Sequence, residues 1–223
     1  MRKPESRAVA VVAGGHQELD FLGKELVGAK KIVAADKGME ALRKLGLVPC
    51  VAVGDFDSVD PETLRYFQEL GCVRFEQHKP EKDETDTELA VQIAMELAQE
   101  GQQKAPIHVY AATGTRLDHT LANIHALKVP FRAGFRAELR DAHNRIFLAD
   151  GRESFQREPE AFSYVSFLPL EGEVKHVTLE GFRYPLKDAD ILPGRALTVS
   201  NELTEDEGIL TCEGILICFE TRD

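Results

Sequence analysis

Short apolar runs alternate with helix-like segments from the start of the chain to about Leu127. Each run is rich in valine, isoleucine or alanine and stops at a polar residue or a glycine, which predicts strands at residues 8–13, 31–35, 50–53, 73–76 and 107–111. Strands that alternate with helices are typical of βαβ units. We therefore expect an N-terminal α/β domain with a parallel sheet.

The periodicity changes beyond Leu127. Two further strands are predicted at residues 137–141 and 145–148, and no helical pattern follows Gly151. Short alternating runs broken by Gly, Pro and Asn occur instead at residues 164–168, 174–179, 197–200, 208–211 and 215–220. This spacing is typical of a small antiparallel sandwich or barrel. The prediction is an α/β domain over residues 1–150, followed by an antiparallel β-sandwich domain over residues 151–223.

Two of the predicted helices have clear N-terminal signals. Asp60, with a proline after it, predicts an N-cap, and a glycine about three turns later predicts the end of that helix. Thr85 with Glu88 three residues later predicts a capping box. The helix that starts there begins beside two acids, Asp83 and Asp86.

Polar and glycine residues follow five consecutive predicted strands. In chain order they are Gly14, Gly15 and His16, then Asp36, then Asp55 and Asp57, then Asp83 and Asp86, then Gly114, Arg116 and Asp118. Open α/β sheets bind ligands outside the carboxyl ends of their strands. We therefore expect a functional site at this edge of the sheet.

Asp55 and Asp57 follow the third predicted strand, in the run VAVGDFDS. Side chains two residues apart on an extended segment point to the same face, which predicts a pair of carboxylates for a divalent cation. Mg²⁺ usually takes one or two carboxylates and fills its other positions with water and substrate phosphates. The alternative is a solvated acidic turn that ends a strand.

The helix that starts after Thr85 and the loop before Asp118 offer groups that bind phosphate. Backbone amides at a helix N-terminus bind a phosphate oxygen beside a metal held by acids, although Asp83 or Asp86 also fits a simple helix cap. Arg116 offers a bidentate guanidinium, and Asp118 can accept from a substrate hydroxyl or hold that arginine. A purely structural Arg–Asp pair is the alternative.

Net charge and cysteine placement narrow the classes of function. The formal net charge of −11 argues against nucleic acid as a partner, and a polyphosphate ligand would need a divalent metal to bridge it to the carboxylates. The cysteines show neither a CxxC nor a secreted-domain spacing. The apolar run at residues 8–13 is shorter than a signal-peptide core, and no stretch approaches a membrane span. We expect a soluble cytoplasmic protein.

An ordered set of motifs resembles the thiamine pyrophosphokinase family. The motifs are AADKG at residues 34–38, PCVAVGDFDS ending at Ser58, KDETDTELA at residues 82–90, GTRLDH at residues 114–119 and VSNE at residues 199–202. The resemblance covers nearly the whole chain. It implies an α/β domain followed by a β-sandwich, and an enzyme that moves a pyrophosphoryl group from ATP to the hydroxyethyl arm of thiamine and releases AMP.

The resemblance also implies roles for individual residues. The residues that would hold Mg²⁺ are Asp55, Asp57 and Asp86. Those that would arrange the ATP polyphosphate are Asp83, Thr85, Thr113, Gly114, Arg116 and Asp118, and the catalytic set is Asp55, Asp57, Asp86, Arg116 and Asp118. Those that would contact thiamine are Asp36, Ser200 and Asn201. Family members are homodimers with sites between subunits, so we expect a homodimer whose second domain binds thiamine.

Two features of the chain depart from the family pattern. The family usually has DGG where this chain has Asp36, Lys37 and Gly38. Some relatives stack an indole on thiamine, whereas this chain has no Trp, so Phe182 or Tyr184 could take that place.

Two other functions fit part of the sequence. One is a phosphatase in which Asp55 would be the nucleophile and Asp57 its acid, because such phosphatases also place DxD after a buried strand. In those enzymes the motif follows the first strand, whereas in this chain it follows the third. A nucleotide-binding or thiamine-binding sensor would bind ligand without releasing AMP.

Overall fold

The structure, a computed structural model, describes residues 8–79, 83–100, 103–157 and 162–223. The chain forms two compact units, which divide between Ala142 and His143. The predicted domain boundary near Asp150 lies eight residues later, inside a strand that spans Asn144–Gln156.

The first unit alternates strands with helices. Its strands are β1 (Val9–Val12), β2 (Lys31–Ala35), β3 (Val51–Gly54), β4 (Arg74–Gln77), β5 (Ile107–Tyr110) and β6 (Ala137–Arg140). Its helices are α1 (Leu19–Leu26), α2 (Gly38–Leu45), α3 (Pro61–Leu70), α4 (Asp86–Ala98), α5 (Leu117–Ala126) and α6 (Lys128–Arg132). The strands lie in the order β6-β5-β1-β2-β3-β4 and adjacent strands are parallel, which confirms the predicted sheet.

Burial explains why these strands read as continuous apolar runs. Every residue of β1, β3 and β5 is buried, as expected where helices cover both faces of a parallel sheet. The helices add Leu22, Met39, Leu42 and Phe67, none more than 2% exposed. Full burial of such a side chain contributes about 1.5–3 kcal/mol.

The strand order reverses between β1 and β5. After β1 the chain adds β2, β3 and β4 on one side, and α4 then carries it back to add β5 and β6 on the other side. The connections that leave β1 and β5 therefore diverge, and a crevice opens outside the carboxyl ends of these strands. In folds of this topology, such a crevice is where ligands bind.

Local capping signals fix the starts of two helices near that crevice. The carboxylate of Asp60 accepts from the N–H of Thr63 at 2.9 Å, and Gly71 ends α3 with a left-handed φ of 66°. At the start of α4, both reciprocal bonds of the capping box between Thr85 and Glu88 are present. These predictions are confirmed.

The second unit is antiparallel. Its strands are β7 (Asn144–Gln156), β8 (Tyr164–Pro169), β9 (Val174–Glu180), β10 (Leu186–Ile191) and β11 (Glu207–Thr221). On one side β11 pairs with β7, and on the other it pairs first with β9 and then with β8. Phenylalanines fill its core, including Phe155 and Phe167, whose rings meet edge-on at 5.4 Å. The predicted change from a parallel α/β part to an antiparallel β part is confirmed.

Two predicted strands are in fact one. Residues 208–211 and 215–220 both belong to β11, whose register with β7 shifts between Cys212 and Leu216. Gly214, at the shift, has a φ of 115°. A bulge interrupts the side-chain alternation without ending the strand, so the prediction of two strands is wrong.

The segment between β9 and β11 also differs from the prediction. Residues 197–200 do not form a strand, and the next residue, Asn201, makes only an isolated bridge with Val165. The sequence does not predict β10, because Lys187, Asp188 and Asp190 are exposed and leave no apolar pattern. Within the described ranges, no helix has the length and apolar character needed to cross a membrane.

We predict that Asp60→Ala lowers the free energy of unfolding by about 1 kcal/mol, because the N–H of Thr63 loses its acceptor. Asp60→Asn keeps an acceptor at the same place and should lose much less. Urea denaturation of both variants measures the difference. Equal losses would instead assign the effect to the ion pair between Asp60 and Arg43, which are 3.3 Å apart.

Candidate active site

A cavity of about 750 Å³ opens at the carboxyl ends of β1, β2, β3 and β5, beside the starts of α4 and α5. The predicted site residues on its wall are Asp36, Asp55, Thr85, Asp86, Thr113, Gly114 and Arg116. Asp57, Asp83 and Asp118 are exposed neighbours of these residues and are not part of the wall. The cavity thus coincides with the crevice that the strand order creates.

The turns around the cavity contain residues with left-handed backbone. Asp36 after β2, Phe56 beyond β3 and Ala111 after β5 have φ values of 43°, 62° and 52°. Such a conformation is uncommon for residues other than glycine, costs roughly 1–3 kcal/mol, and concentrates at functional sites. The chain therefore carries backbone strain at the same edge where the cavity opens.

Asp36 lies against the last residue of β3. A β-carbon on Gly54 would be 1.9 Å from Oδ1 of Asp36, and Gly54 has a φ of 149°, so glycine is required on both counts. The N–H of Phe56 also donates to Oδ1 of Asp36, at 3.4 Å. The Asp36 carboxylate is thereby held between the ends of two adjacent strands.

Asp55 and Asp57 are not on one extended segment, so the predicted reason for their proximity is wrong. β3 ends at Gly54 and Phe56 is left-handed, so the two acids do not project from one extended strand. Instead the N–H of Asp57 donates to Oδ1 of Asp55 at 3.0 Å, which folds the segment into a tight turn. The two carboxyl groups are still neighbours. A hydrogen bond between them, and then the negative charge of Asp55, raise the pKa of Asp57.

Four carboxyl groups share this region and repel one another. The pKa of Asp36 is raised to about 7. Burial is the largest cause, the hydrogen bond with Asp86 and the charge of Asp86 come next, and the charge of Asp55 adds a smaller rise. Asp86 also raises the pKa of Asp57. The ionised forms of Asp36 and Asp57 are therefore disfavoured until positive charge is supplied.

The donor chemistry at this edge fits a hard divalent cation. Carboxylate oxygens are the ligands that Mg²⁺ takes, and Asp55 and Asp86 lie close enough to Asp57 to raise its pKa. Among the described residues, no three His, Cys, Asp or Glu side chains are already gathered as around a metal. Mg²⁺ does not need such a cage, because it retains water and usually binds only one or two carboxylates.

Backbone hydrogen bonds join the loop after β5 to the loop after β1. The N–H of Gly15 donates to the carbonyl of Ala111 at 2.7 Å, and the N–H of His16 donates to the carbonyl of Thr113 at 2.8 Å. A β-carbon on Gly15 would lie 2.3 Å from the Thr113 oxygen, so this approach also needs glycine. The two loops that flank the reversal of strand order are thus fixed to each other.

Two side chains that the sequence analysis does not identify hold the same loop. Asn123 of α5 donates to the carbonyl of Ala112 at 2.7 Å, and the hydroxyl of Thr113 donates to Asp141 at 2.8 Å. Asp141 follows β6, so the strand-end rule applied to one more strand would identify it. Asn123 carries no such signal, because a single polar residue within a helix is common.

Arg116 and Asp118 form a bidentate ion pair. Nη2 of Arg116 donates to Oδ2 of Asp118 at 2.5 Å, and Nε donates to Oδ1 at 3.3 Å. The pair lowers the pKa of Asp118. Because solvent screens an exposed pair of this kind, the guanidinium can change partners at little cost.

The two predicted thiamine contacts in the second unit, Asn201 and Ser200, differ in burial and hydrogen bonding. Asn201 is 2% exposed, its Oδ1 accepts from the N–H of Tyr184 at 3.0 Å, and its Nδ2 donates to the carbonyl of Tyr184 at 2.8 Å. Its amide is therefore occupied in fixing the backbone of Tyr184. Ser200 is exposed and left-handed, with a φ of 58°, and its N–H donates to Oγ of Ser166 at 2.9 Å.

The two aromatic candidates also differ in exposure. Phe182 is 4% exposed and packs edge-on against Phe155 and Phe167 in the core of the second unit. Tyr184 is 56% exposed, and its ring lies 5.6 Å from the guanidinium carbon of Arg183. Only Tyr184 of this pair presents an aromatic face to a ligand.

Comparison with known families and structures gives consistent matches. Residues 22–138 match the catalytic domain of thiamin pyrophosphokinase, and residues 154–216 match the thiamin pyrophosphokinase vitamin B1 binding domain. Thiamine pyrophosphokinase of Bacillus subtilis (strain 168) is 33% identical over 220 residues, which cover 97% of this chain and 100% of that protein.

Solved structures agree with the sequence matches. A crystal structure of thiamine pyrophosphokinase from Bacillus subtilis superposes with a TM-score of 0.85, at 29% identity, over 97% of this chain and 100% of that one. A thiamin pyrophosphokinase from Geobacillus thermodenitrificans gives a TM-score of 0.81, at 30% identity, over 97% of this chain and 98% of that one.

The fold, the acidic cavity and these matches define an enzyme of the kinase class. More specifically, the chain belongs to the thiamine pyrophosphokinase family, as its motifs suggest. The aspartyl phosphatase and the non-catalytic sensor are not supported by any of the matches reported above.

We predict that Gly54→Ala lowers the free energy of unfolding by at least about 1 kcal/mol more than Gly46→Ala does, because only the first change forces a β-carbon into Asp36. Gly46 is a matched control, since its φ of 67° is also left-handed and nothing lies within 4 Å of the position that an added β-carbon would occupy. Adding Asp36→Ala to Gly54→Ala should recover part of the loss in thermal denaturation. Equal losses at the two glycines, without recovery, would contradict the assigned contact.

Proposed function

We propose that this chain catalyses Mg²⁺-dependent transfer of a pyrophosphoryl group from ATP to the hydroxyethyl group of thiamine, giving thiamine diphosphate and AMP. The observation that carries the proposal is the acidic cavity at the carboxyl ends of β1, β2, β3 and β5. The family membership of the chain supplies the substrates.

In this proposal Asp55, Asp57 and Asp86 hold Mg²⁺. The bound cation would neutralise charge on the polyphosphate and on the carboxylates that now repel one another. These residues come from the turn after β3 and the first position of α4, so two separate elements bring them together.

The polyphosphate would lie between the start of α4 and the loop after β5. The hydroxyl of Thr85 already accepts from the N–H of Glu88 at 3.2 Å, so Thr85 positions the helix start. The backbone amides in the first turn of α4, and the positive end of its dipole, would stabilise the negative charge of a phosphate group. Asp83 lies two residues before this cap, where it would orient the incoming chain of phosphates through the metal.

Arg116 is the proposed phosphate clamp. Its guanidinium would exchange the Asp118 carboxylate for phosphate oxygens, with the same bidentate geometry. Asp118 would then be available to the hydroxyl of the acceptor. Thr113 holds the loop that carries this arginine through its bond to Asp141, and Gly114, next to it on the cavity wall, would contact the polyphosphate.

Catalysis would depend on positioning and charge neutralisation rather than on a strong base. Pyrophosphoryl transfer needs little covalent help from the protein when the attacking hydroxyl is in line and the polyphosphate charge is compensated. The catalytic set proposed from the sequence, Asp55, Asp57, Asp86, Arg116 and Asp118, supplies charge and orientation of this kind.

Thiamine binding is assigned to Tyr184 and Ser200 of the second unit, with Asn201 as the residue that positions Tyr184. The exposed ring of Tyr184 would stack on the aromatic rings of thiamine, in the place of the indole that this chain lacks. Asp36, between the ends of β2 and β3, is proposed to assist from the first unit. A homodimer with sites between subunits, and a cytoplasmic location, stay predictions.

We predict that the protein converts ATP and thiamine, with Mg²⁺, into equal amounts of AMP and thiamine diphosphate. Chromatography that separates AMP from ADP, and the thiamine phosphates from each other, measures both products. ADP with thiamine monophosphate would contradict the proposed transfer.

Asp55→Asn is the control variant for this assay. It should form little product, while its melting temperature in EDTA is not lowered, because one of the mutually repelling carboxylates is gone. Near-normal turnover of Asp55→Asn at limiting Mg²⁺ would show that Asp55 does not hold the metal.

We predict that Tyr184→Leu raises the KM for thiamine about threefold to tenfold and leaves the KM for ATP unchanged, because only a stacking contact with the acceptor is lost. Ser200→Ala should shift the same constant in the same direction. Tyr66→Leu is the matched control, since Tyr66 is 40% exposed on α3 and also has an arginine, Arg43, 5.5 Å from its ring. An equal change in both Michaelis constants for Tyr184→Leu would contradict a role in thiamine binding.

A further inference from the structure

Lys37 lies on the cavity wall at the turn between β2 and α2. Its backbone is fixed, because Nε2 of Gln17 donates to its carbonyl at 2.9 Å. A β-carbon on Gly14 would be 3.3 Å from its Cβ, so the stem of the lysine starts directly over the loop after β1. The residue is exposed, so its ammonium group is accessible to solvent and to a ligand while its backbone is fixed.

Acidic side chains outnumber lysine and arginine side chains on the cavity wall. The carboxylates on the wall are Asp36, Asp55, Glu84 and Asp86, whereas its lysine and arginine side chains are Lys37 and Arg116. Arg116 is paired with Asp118. Across the described ranges, Lys37 makes no ion pair within 4 Å.

Lys37 shares the cavity wall with carboxylates of the proposed metal position. Asp55 and Asp86 lie on the same wall, and among the described residues Lys37 has no ion pair with a carboxylate. A polyanion that enters the cavity would therefore meet this positive charge among carboxylates that repel it.

We propose that Lys37 is a polyphosphate-binding residue of this chain, whose ammonium contacts the nucleotide phosphates beside the metal. The inference rests on the proposed function and deepens it. Lysine suits the role because its ammonium is a compact charge on a flexible stem that can reach a phosphate in the cavity.

Direct binding of a nucleotide that cannot be cleaved between its α and β phosphates tests this inference. Isothermal titration with α,β-methylene-ATP at saturating Mg²⁺ should show about tenfold weaker binding for Lys37→Met, the loss of one charge-assisted hydrogen bond, and nearly normal binding for Lys37→Arg. Lys44→Met removes the same charge from the exposed side of α2, outside the cavity wall, and should leave the affinity unchanged. Thiamine affinity should be unchanged in all three variants.

The main rival role for Lys37 is that of a counter-ion to the carboxylates. In that case Lys37→Met would bind α,β-methylene-ATP as tightly as the unaltered protein, or more tightly, and the inference would be overturned. Failure of the unaltered protein to bind the analogue would overturn it as well. Normal analogue binding without AMP formation from ATP and thiamine would count against the proposed reaction alone, and the affinity of Lys37→Met would still decide the role of Lys37.

Discussion

Crowding of partly buried carboxylates at the ends of β2 and β3 is the constraint on which the site depends. Burial, and then a hydrogen bond with Asp86 and its charge, raise the pKa of Asp36 to about 7, and Gly54 lies directly against this carboxylate. Packing that served stability alone would place small apolar residues there. In the proposed function, a bound cation and its polyphosphate would convert the same crowding into binding energy.

The strand order determines which loops meet this cluster. Because β5 joins the sheet beside β1, the glycine turn after β1 lies against the loop after β5, and the bond from Gly15 to Ala111 closes the contact. The acids after β2 and β3 then lie on one side of that contact, and Arg116 at the start of α5 lies on the other. One topological reversal thus places both the proposed metal ligands and the proposed phosphate clamp at the same edge of the sheet.

The sequence predicts the first unit well because its physics is local. Continuous apolar runs are characteristic of strands buried on both faces, and helix caps such as Asp60 and Thr85 act within four residues, so both are visible without the tertiary structure. The turn after β3 is not visible in this way. Phe56 is left-handed although nothing in its chemistry requires it, and the resulting bond between Asp57 and Asp55 replaces the extended pair that side-chain alternation predicts.

The second unit is harder to predict because its signals depend on pairing. The polar exposed residues of β10 become a strand only by pairing with β9, and the glycine in β11 is accommodated as a bulge because β7 continues opposite it. Neither partner can be identified from the local pattern. Long-range contacts therefore decide both cases.

Burial separates residues that the motif VSNE treats alike. Asn201 and Ser200 are adjacent in the sequence, and a motif match assigns both to the same ligand. Asn201 nevertheless has its amide committed to the backbone of Tyr184, while Ser200 is exposed. In the proposed site the roles of such a segment divide between support and contact: the buried amide fixes the backbone of an exposed aromatic residue, and the aromatic ring would meet the substrate. A family motif thus proposes the region of a binding site, and hydrogen bonding within the fold decides which of its side chains remain available to bind.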